Sequence, residues 1–480
     1  MENKKRNVLF ICSDQHNKHI TGCYGNEHVL TPNIDRLADQ GVCFDNAYSS
    51  NPICVPARAG MATGCYSFQT RTWDNASPYT GQAQSFGSQL EKHGIPVTTI
   101  GKLHYRNAED DTGFKDQRIP LHIRDGVGDL FGTIREYGIV KHVMRQEIPK
   151  AHAGDSSYVA YDRKITEVAV NYLEEKQEDS DPWCLYVGYT FPHLPFICPE
   201  ETWNLYDEDR LPMPHHYKKE EWMEHESCRD IRDFFGLQEE YEEQDVKRAV
   251  HAYYGMCTFL DNQIGELLKC MKETGLLENT YIIYSSDHGE MLGNHGLWFK
   301  NNMLEDSAGI PMILCGPDIP KGRRREENVS LIDIYPTILD MFRVTPEPDG
   351  FKRDGISLYR LARGEEAPDR AVFSEFHASA SYTDGFMVRY RDYKYIYYVG
   401  YPPQLFNIKE DPQESADLAL NPEYREIKQL MDKKLREIGD PEAIHEACKR
   451  DQEQRLTEHG GREEIKKNFV PIIFSPPPEV

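Results

Sequence analysis

The chain carries a cysteine, a proline and an arginine at close, fixed offsets, and these residue types suit a chemical site. Residues 51–64 read NPICVPARAGMATG, in which Cys54, Pro56 and Arg58 precede a run of small residues that ends at Gly64. The alternative is a cysteine buried in a packed turn. The twelve cysteines are scattered singly, without a CxxC pair, and most are expected to be small buried hydrophobic residues. A chemical role for Cys54 therefore needs support from the residues around it.

Acids, an amide, imidazoles and a lysine follow four predicted strands at the point where each strand ends. They are Asp14 and Gln15 after VLFICS, Lys102 and His104 after PVTTI, His193 after WCLYVGYT, and Asp287 and His288 after TYIIYSS. Ligands of open α/β sheets bind beyond the carboxyl ends of the strands, so we expect these side chains to converge. Each is weak evidence alone, because a carboxylate after a strand is often only a helix cap. Their joint pattern predicts a functional site.

The apolar runs that position these residues alternate with helical patterns, which predicts a parallel α/β sheet. The predicted strands are residues 8–13, 96–100, 183–190, 280–285 and 310–315. Thr31 and Pro32 are typical of a helix start, and Gly41 is expected to close that helix. Residues 241–274 form a long amphipathic segment closed by Gly275, which predicts a further helix.

The pattern changes from about Ala371. The short aromatic runs VFSEF, GFMVRY, YKYIYYV and QLFNI predict an antiparallel sheet, and a helical stretch follows at residues 423–438. We expect a large N-terminal domain over residues 1–365, a smaller C-terminal α+β domain over 366–440 and a charged tail over 441–480. The tail suits a disordered end or an arm that supports a homo-oligomer.

The composition limits the partners. Acidic residues outnumber basic ones by 79 to 55, and the net charge of −24 argues against nucleic acid and an anionic membrane. The apolar run at residues 8–12 is five residues long, whereas a signal peptide needs roughly 7–15. No stretch approaches the roughly 20 apolar residues of a membrane span. We therefore expect a cytoplasmic protein.

Segments along nearly the whole chain resemble, in order, the type I sulfatases of the alkaline phosphatase superfamily. The most specific runs from Cys54-Val-Pro56-Ala-Arg58 to Gly64; the others are SDQ (13–15), GKLH (101–104), FPH (191–193), SDHGEMLG (286–293), GLWFK (296–300), SLIDIYPTILD (330–340) and QLFNIKEDPQE (404–414). The resemblance leans toward choline-sulfatase-like and carbohydrate sulfatases. It implies a large mixed, mostly parallel sheet sandwiched by helices, with a smaller C-terminal α+β domain that carries an antiparallel sheet.

In the sulfatases that this chain resembles, the cysteine of the Cys-x-Pro-x-Arg motif is oxidised to Cα-formylglycine by a dedicated maturase. The resemblance implies this conversion at Cys54, with the hydrated aldehyde as nucleophile. It also implies one divalent cation held by Asp14, Gln15, Asp287, His288 and the modified residue 54. Oxygen-rich ligation suits Ca²⁺ or Mg²⁺, and the resemblance favours Ca²⁺. Family members more usually carry Asp at position 15 and Asn or Gln at 288, which leaves Mn²⁺ or Zn²⁺ open.

The resemblance also implies roles for the cations and imidazoles. Arg58 and Lys102 would hold the nucleophile and the sulfate, and His104 would take the proton of the second hydroxyl when sulfate leaves. His193 and Lys300 would lie near the bridging oxygen, where a proton or a positive charge helps an alkoxide leave.

The identity of the substrate is left open. Candidates for substrate contact are His377, His295 and the inserts at residues 106–155 and 200–245. A cytosolic enzyme would act on a small sulfate ester, such as a sulfated sugar or choline sulfate. A phosphonate monoester or phosphodiester hydrolase of the same superfamily would use the same formylglycine. Two-zinc phosphatases normally carry Ser or Thr where Cys54 stands, and an unmodified binding protein is the remote alternative.

Overall fold

A computed structural model describes residues 6–179, 181–470 and 475–478. The strands are β1 (Asn7–Ser13), β2 (Gly41–Tyr48), β3 (Val97–Lys102), β4 (Asp116–Leu121), β5 (His152–Ala153), β6 (Cys184–Gly188), β7 (Ile197–Cys198), β8 (Thr280–Ser286), β9 (Met312–Cys315), β10 (Arg323–Ser330), β11 (Val372–Phe376), β12 (Gly385–Tyr390), β13 (Tyr393–Tyr398) and β14 (Tyr401–Asn407).

The helices are α1 (Pro32–Asp39), α2 (Cys54–Thr63), α3 (Ser67–Thr70), α4 (Phe86–Lys92), α5 (Leu130–Thr133), α6 (Ser157–Glu175), α7 (Glu200–Trp203), α8 (Glu226–Phe235), α9 (Glu243–Glu273), α10 (Glu305–Ala308), α11 (Ile334–Phe342), α12 (Leu358–Ala362), α13 (Arg425–Ile438), α14 (Pro441–Glu458) and α15 (Arg462–Lys467). No helix of the described residues is long and apolar enough to span a membrane.

The large sheet has eight strands in the order β10-β2-β9-β8-β1-β6-β3-β4. All neighbours are parallel except β9, which runs antiparallel to both β2 and β8. The mixed, mostly parallel sheet that the sequence predicted is therefore confirmed. The sequence did not predict β2, because Gly41 also suits the end of a helix. A Cβ at Gly41 would lie 2.1 Å from the carbonyl oxygen of Leu314, so this close strand pair requires glycine there.

Helices cover both faces of the sheet, and this explains the uninterrupted apolar runs of its central strands. In β1, Leu9 and Ile11 belong to one core cluster, whereas Val8 and Phe10 belong to the cluster on the opposite face. The helices α1, α6 and α9 pack on the first face, and α2, α4, α11 and α12 contribute to the second. The result is a three-layer α/β architecture.

The order of the strands brings the predicted site residues to one edge. β8, β1, β6 and β3 are consecutive neighbours and parallel, so the segments that leave their carboxyl ends start side by side. Because β9 is antiparallel to β8, the connection at residues 287–311 begins and ends at that same edge. This single connection therefore carries three of the predicted site residues, Asp287, His288 and Lys300.

The C-terminal part contains the predicted antiparallel sheet, in the order β11-β12-β13-β14, with α13 packed on β12 and β13. The stretch predicted as a charged tail contains α14 and α15, and buries Cys448, Gln452 and Leu456. These residues alternate with charged ones on a helical spacing, which the composition of the stretch concealed. The division of the chain at residues 365 and 440 stays a prediction.

A buried ion cluster joins the C-terminal sheet to the large sheet. Nζ of Lys394, on β13, lies 3.1 Å from Oε1 of Glu305 and 2.8 Å from Oε1 of Glu414. Nζ of Lys18 lies 3.1 Å from the other oxygen of Glu305. Burial alone would raise the pKa of Glu305, but Lys394 and Lys18 hold it well below its usual range. The lysines compensate the carboxylate charges, whose burial would otherwise be strongly unfavourable.

The substitution Lys394→Met should destabilise the protein by about 3–5 kcal/mol, because it leaves two buried carboxylates facing each other without their shared cation. The free energy of unfolding is measured by denaturant titration. The matched control is Lys433→Met, whose side chain is 74% exposed and 4.0 Å from Glu437, and it should change stability by less than about 0.5 kcal/mol. Equal losses in the two variants would contradict the role given to the cluster.

Candidate active site

Cys54 is the first residue of α2, which follows β2 through a short loop. All ten residues of α2 are buried, and their small side chains permit this packing: a Cβ at Gly60 would lie 2.7 Å from Oγ of Ser50. The preceding residue, Ile53, makes no side-chain cap hydrogen bond. The N–H of Val55 donates to Oδ1 of Asn75 over 3.0 Å. The structure thus places Cys54 at the buried N-terminus of a helix.

Four ligand-type side chains meet beside this helix. One ligand atom from each of Asp14, Cys54, Asp287 and His288 lies within 4.8 Å of the others. Sγ of Cys54 lies 3.2 Å from Nε2 of His288 and 3.8 Å from Oδ1 of Asp14. The same Nε2 lies 3.6 Å from Oδ1 of Asp287 and 3.7 Å from Oδ1 of Asp14. The residues that follow β1 and β8 therefore come together with the cysteine.

Cations hold the second oxygen of each carboxylate. Nε of Arg58 lies 2.8 Å from Oδ2 of Asp287, and its NH2 lies 3.4 Å from Oδ2 of Asp14, which also pairs with Nζ of Lys102. Burial alone would raise the pKa of Asp14, but Lys102 and Arg58, together with His193, hold it well below its usual range. Because the cations occupy the Oδ2 atoms, the Oδ1 atoms are left to face Cys54 and His288.

Burial sets the protonation states of Cys54 and His288, the other two residues of the four-member cluster. It raises the pKa of the Cys54 thiol to about 11, and the charge of Asp14 adds to this effect. The thiol is therefore protonated at neutral pH and is a poor nucleophile without modification. Burial also lowers the pKa of His288, whose Nδ1 lies 3.1 Å from the carbonyl oxygen of Gly289. With Nδ1–H donating to that carbonyl, Nε2 presents a lone pair to the cluster.

Gln15, the fifth predicted ligand, lies beside the cluster, and its side chain is engaged by other groups. Its amide oxygen accepts a hydrogen bond from Nζ of Lys300, and its amide nitrogen donates to Glu290. Nζ of Lys300 lies 2.6 Å from Nε2 of His193, whose Nδ1 lies 2.8 Å from the carbonyl oxygen of Leu194. Burial and the charge of Lys300 hold the pKa of His193 well below its usual range. The imidazole is therefore neutral beside a cationic lysine.

His104 is a second neutral imidazole in the site. It follows β3 with a left-handed backbone conformation (φ 62°), and burial together with the charge of Lys102 holds its pKa well below the usual range. Its Nε2 lies 2.8 Å from Oγ of Ser475. Its Nδ1 is buried and has no hydrogen-bond partner among the described residues. No described protein group therefore competes for that atom.

A cavity of about 400 Å³ gives access to these groups. Its polar lining includes Cys54, Lys102, His104, His193 and Lys300. Its apolar lining includes Met144, Phe131, Phe234, Phe299 and Phe469. Both predicted inserts, residues 106–155 and 200–245, contribute to the wall. The cavity thus combines a cationic region, suited to an anion, with an aromatic surface suited to an organic group.

Neither histidine proposed for substrate contact is among the described residues that line this cavity. His295 is buried, and its Nε2 lies 2.8 Å from the carbonyl oxygen of Gln413. His377 is fully buried, with Nε2 2.7 Å from Glu375 and Nδ1 3.3 Å from Oδ1 of Asp384. Both rings are therefore held by protein groups, and substrate contact by either histidine stays a prediction.

His377, Asp384 and Cys448 form a second group of ligand-type side chains within 4.8 Å of one another. NH1 of Arg135 lies 2.6 Å from Oδ1 of Asp384, and its NH2 lies 3.3 Å from Sγ of Cys448. Burial opposes a charge on His377, but Asp384 raises its pKa well above the usual value. Two cations thus already compensate Asp384, and the group is an ion network that ties α14 to the C-terminal sheet.

The sequence patterns missed Glu290, Ser475 and the phenylalanines of the cavity. Glu290 accepts from the N–H of Phe299 (2.6 Å) and orients Gln15. Its place in SDHGEMLG, directly beyond Asp287 and His288, was a signal that could have found it. By contrast, Phe131 and Phe469 stack with ring centroids 4.0 Å apart although they come from distant segments. No local pattern indicates such a contact.

The geometry of the site agrees with the families and proteins to which the chain is similar. A family model described as sulfatase matches residues 6–344, and one described as N-sulphoglucosamine sulphohydrolase, C-terminal, matches residues 293–440. The chain is 30% identical over 450 residues to a choline-sulfatase of Rhizobium meliloti (strain 1021), covering 88% of this chain and 84% of that protein. It is 31% identical over 465 residues to arylsulfatase K of Gallus gallus, covering 90% and 82%.

The fold has solved counterparts as well. The phosphonate monoester hydrolase of Agrobacterium radiobacter superposes with a TM-score of 0.71 at 22% identity, covering 90% of this chain and 95% of that structure. At this identity the likeness concerns the fold alone. The sulfatase match, in contrast, spans well over half of the chain and includes every residue of the four-member cluster. The chain belongs to the sulfatase family and is a sulfuric ester hydrolase.

Proposed function

We propose that the protein hydrolyses a sulfate monoester of a small organic molecule, such as a sulfated sugar or a choline-sulfate-like ester. In this proposal Cys54 is converted to Cα-formylglycine, and one divalent cation completes the site. The observation that carries the proposal is the position of Sγ of Cys54, 3.2 Å from His288 and 3.8 Å from Asp14, at the wall of the cavity. A nucleophile formed at Cβ of residue 54 would face both the metal-type ligands and the cationic lining.

The protonated state of the Cys54 thiol supports a modified residue. Its pKa of about 11 leaves little thiolate at neutral pH, so the unmodified side chain would react slowly. Conversion of the thiol to the aldehyde consumes one water, releases hydrogen sulfide and transfers two electrons to an oxidant supplied with a maturase. The hydrated aldehyde supplies two hydroxyls on one carbon: one attacks sulfur, and the other, once deprotonated, expels sulfate and restores the aldehyde.

The four-member cluster fits a divalent cation. It offers two carboxylate oxygens and the lone pair of His288, with an oxygen at residue 54 after conversion. Arg58 and Lys102 keep Asp14 ionised, so its Oδ1 is a ligand at neutral pH. We propose Ca²⁺. Mg²⁺ is an alternative because the other ligand atoms are oxygens, and Mn²⁺ is an alternative because His288 would contribute nitrogen. Such a cation would supply Lewis-acid stabilisation of negative charge on the sulfate and the nucleophile.

The cationic side chains would bind and orient the ester. Lys102 and Lys300 both line the cavity, and each is buried with its charge beside a site group. We propose that Lys102 binds sulfate oxygens. Lys300, with the neutral His193 at 2.6 Å, would deliver a proton to the departing alkoxide as the sulfur–oxygen bond breaks. His104 would accept, at Nδ1, the proton of the second hydroxyl when sulfate leaves.

We also propose a cytoplasmic location. Each of the twelve cysteines, all within the described residues, is a free thiol. Unpaired cysteines in this number favour a reducing compartment. A homo-oligomer stays a proposal that the charged C-terminal stretch suggests.

Wild-type protein co-expressed with a maturase should hydrolyse an aryl sulfate, choline sulfate or a small sulfated sugar faster than an aryl phosphonate. The Cys54→Ala variant should lose turnover by about 10⁴-fold or more, because no other residue can replace the nucleophile. Conversion should lower the intact mass of the wild type by about 18 Da when residue 54 is detected as the anhydrous aldehyde. Alcohol release from each ester is followed by chromatography.

The matched control is Cys23→Ala, a half-buried cysteine outside the cavity, which should retain both the mass change and the turnover. Turnover of the sulfate esters by protein with unchanged mass would contradict the formylglycine. A faster reaction with the aryl phosphonate would instead favour a phosphonate monoester hydrolase.

Protein stripped with a chelator should bind about one Ca²⁺ and gain about 2.7 kcal/mol of stability at about 100 times the dissociation constant of the ion. The Asp287→Asn variant should lose this gain, because one carboxylate ligand is removed. Metal content and thermal unfolding measure the effect without reference to turnover. The control Asp155→Asn changes a carboxylate that is 80% exposed and should keep the gain. Absence of a bound divalent cation in the wild type would contradict the site.

A further inference from the structure

The C-terminal segment, defined as residues 459–470 together with 475–478, forms part of the cavity that contains Cys54. His459, Glu464, Ile465, Asn468, Phe469, Val470 and Ser475 all line it. None of the motifs that resemble the sulfatases lies in this segment, since the last of them ends at residue 414. The family matches also end before it, at residue 440. The two family-model matches therefore give no role to this segment.

Specific contacts hold the C-terminal segment and the preceding helix against the insert at residues 106–155. Leu456 and Ile465 pack with Ile134 in a small buried cluster. NH1 of Arg462 lies 2.7 Å from Glu136, and the ring of Phe469 stacks on Phe131 with centroids 4.0 Å apart. The segment is thus attached to a wall of the cavity on both its apolar and its charged sides.

Ser475 makes two contacts, and each uses a different group. Its carbonyl oxygen accepts a hydrogen bond from the hydroxyl of Tyr158, on α6, over 3.0 Å. Its side-chain Oγ lies 2.8 Å from Nε2 of His104. The backbone contact fixes where the serine lies, and the hydroxyl then meets one nitrogen of the imidazole.

This contact decides what the other nitrogen of His104 can do. A neutral imidazole has one N–H and one lone pair, and the partner of one nitrogen selects the tautomer. If Nε2–H donates to Oγ of Ser475, the lone pair lies on Nδ1. That atom is buried and has no partner among the described residues. It is therefore placed to accept a proton inside the cavity, where none of the described side chains competes for it.

We propose that Ser475 is a positioning residue for His104, accepting a hydrogen bond from Nε2–H and leaving Nδ1 free to take the proton whose removal releases sulfate. This inference rests on the role given to His104 in the proposed function. The proton passes from the second hydroxyl of the modified residue 54 to Nδ1 as the carbon–oxygen bond to sulfate breaks. Ser475 itself neither gains nor loses a proton in the step.

The test compares Ser475→Ala and Ser475→Thr with wild-type, fully converted protein and an aryl sulfate as substrate. Loss of the hydroxyl should lower kcat about 10- to 100-fold, the usual effect of removing a group that orients a functional histidine. KM should not rise, since Ser475 does not bind the ester in this proposal. Threonine keeps a hydroxyl on the same carbon. The fall in log kcat in Ser475→Thr should therefore be at most half of the fall in Ser475→Ala.

A burst measurement separates positioning from a structural role. If sulfate release is the step that slows, the alcohol should appear in a rapid burst of about one equivalent per converted site before the steady state. The matched control is Ser415→Ala, because Oγ of Ser415 also lies 2.8 Å from Nε2 of a histidine, His216, but outside this cavity. It should show neither the fall in kcat nor the burst.

Three results would overturn the inference: an unchanged kcat in Ser475→Ala, a rise in KM alone, or faster turnover, which would mean that the segment obstructs the cavity. Failure of the proposed function is distinguishable from these results. It would appear as no turnover of any sulfate ester by fully converted wild-type protein, whereas wild-type turnover in His104→Ala would contradict only the role given to that histidine. A fall in kcat with a burst in both His104→Ala and Ser475→Ala, and not in Ser415→Ala, is the expected outcome.

Discussion

The geometry of the site depends on one interaction, the bridge that Arg58 forms between the buried carboxylates of Asp14 and Asp287. Two anions cannot be buried side by side without a compensating charge. Arg58 has a planar fork of donors, and two of its nitrogens each reach a different carboxylate. By occupying one oxygen of each carboxylate, it leaves the other two facing Cys54 and His288. The same arginine is the last residue of the Cys-x-Pro-x-Arg motif, so the motif serves the folded site.

The second constraint is the single antiparallel strand of the large sheet. A parallel neighbour after β8 would require a crossover that carries the chain to the opposite edge. Because β9 is antiparallel, residues 287–311 stay at the carboxyl edge. Asp287, His288, Glu290 and Lys300 thus come from one connection. Glu290 holds Gln15, and Gln15 accepts from Lys300, so that the connection is cross-linked to the loop after β1.

Aromatic residues from three separate regions complete the cavity around this polar centre. Phe131 comes from the first insert, Phe234 from α8 and Phe469 from the C-terminal segment. The connections at the edge of the large sheet therefore supply the groups for chemistry, whereas the two inserts and the C-terminal segment supply the apolar surface of the cavity. This division is physically reasonable, because loops and terminal segments can vary without disturbing the charge compensation in the core.

The sequence by itself determined the sheet class, most strands and the residues at the carboxyl edge, because apolar runs and the residues that follow them are local patterns. Asp14 and Asp287 were found this way, whereas Cys54 was found through the spacing of its own motif. The sequence could not determine β2 or β10, since Gly41 also suits a helix end and residues 323–330 are strongly charged. Only the tertiary structure decided that His377 is held by Glu375 and Asp384 and that Ser475 reaches His104. The contact of Ser475 with His104 joins segments far apart in the chain, and the energies of both sets of contacts depend on burial and on charges that no local pattern encodes.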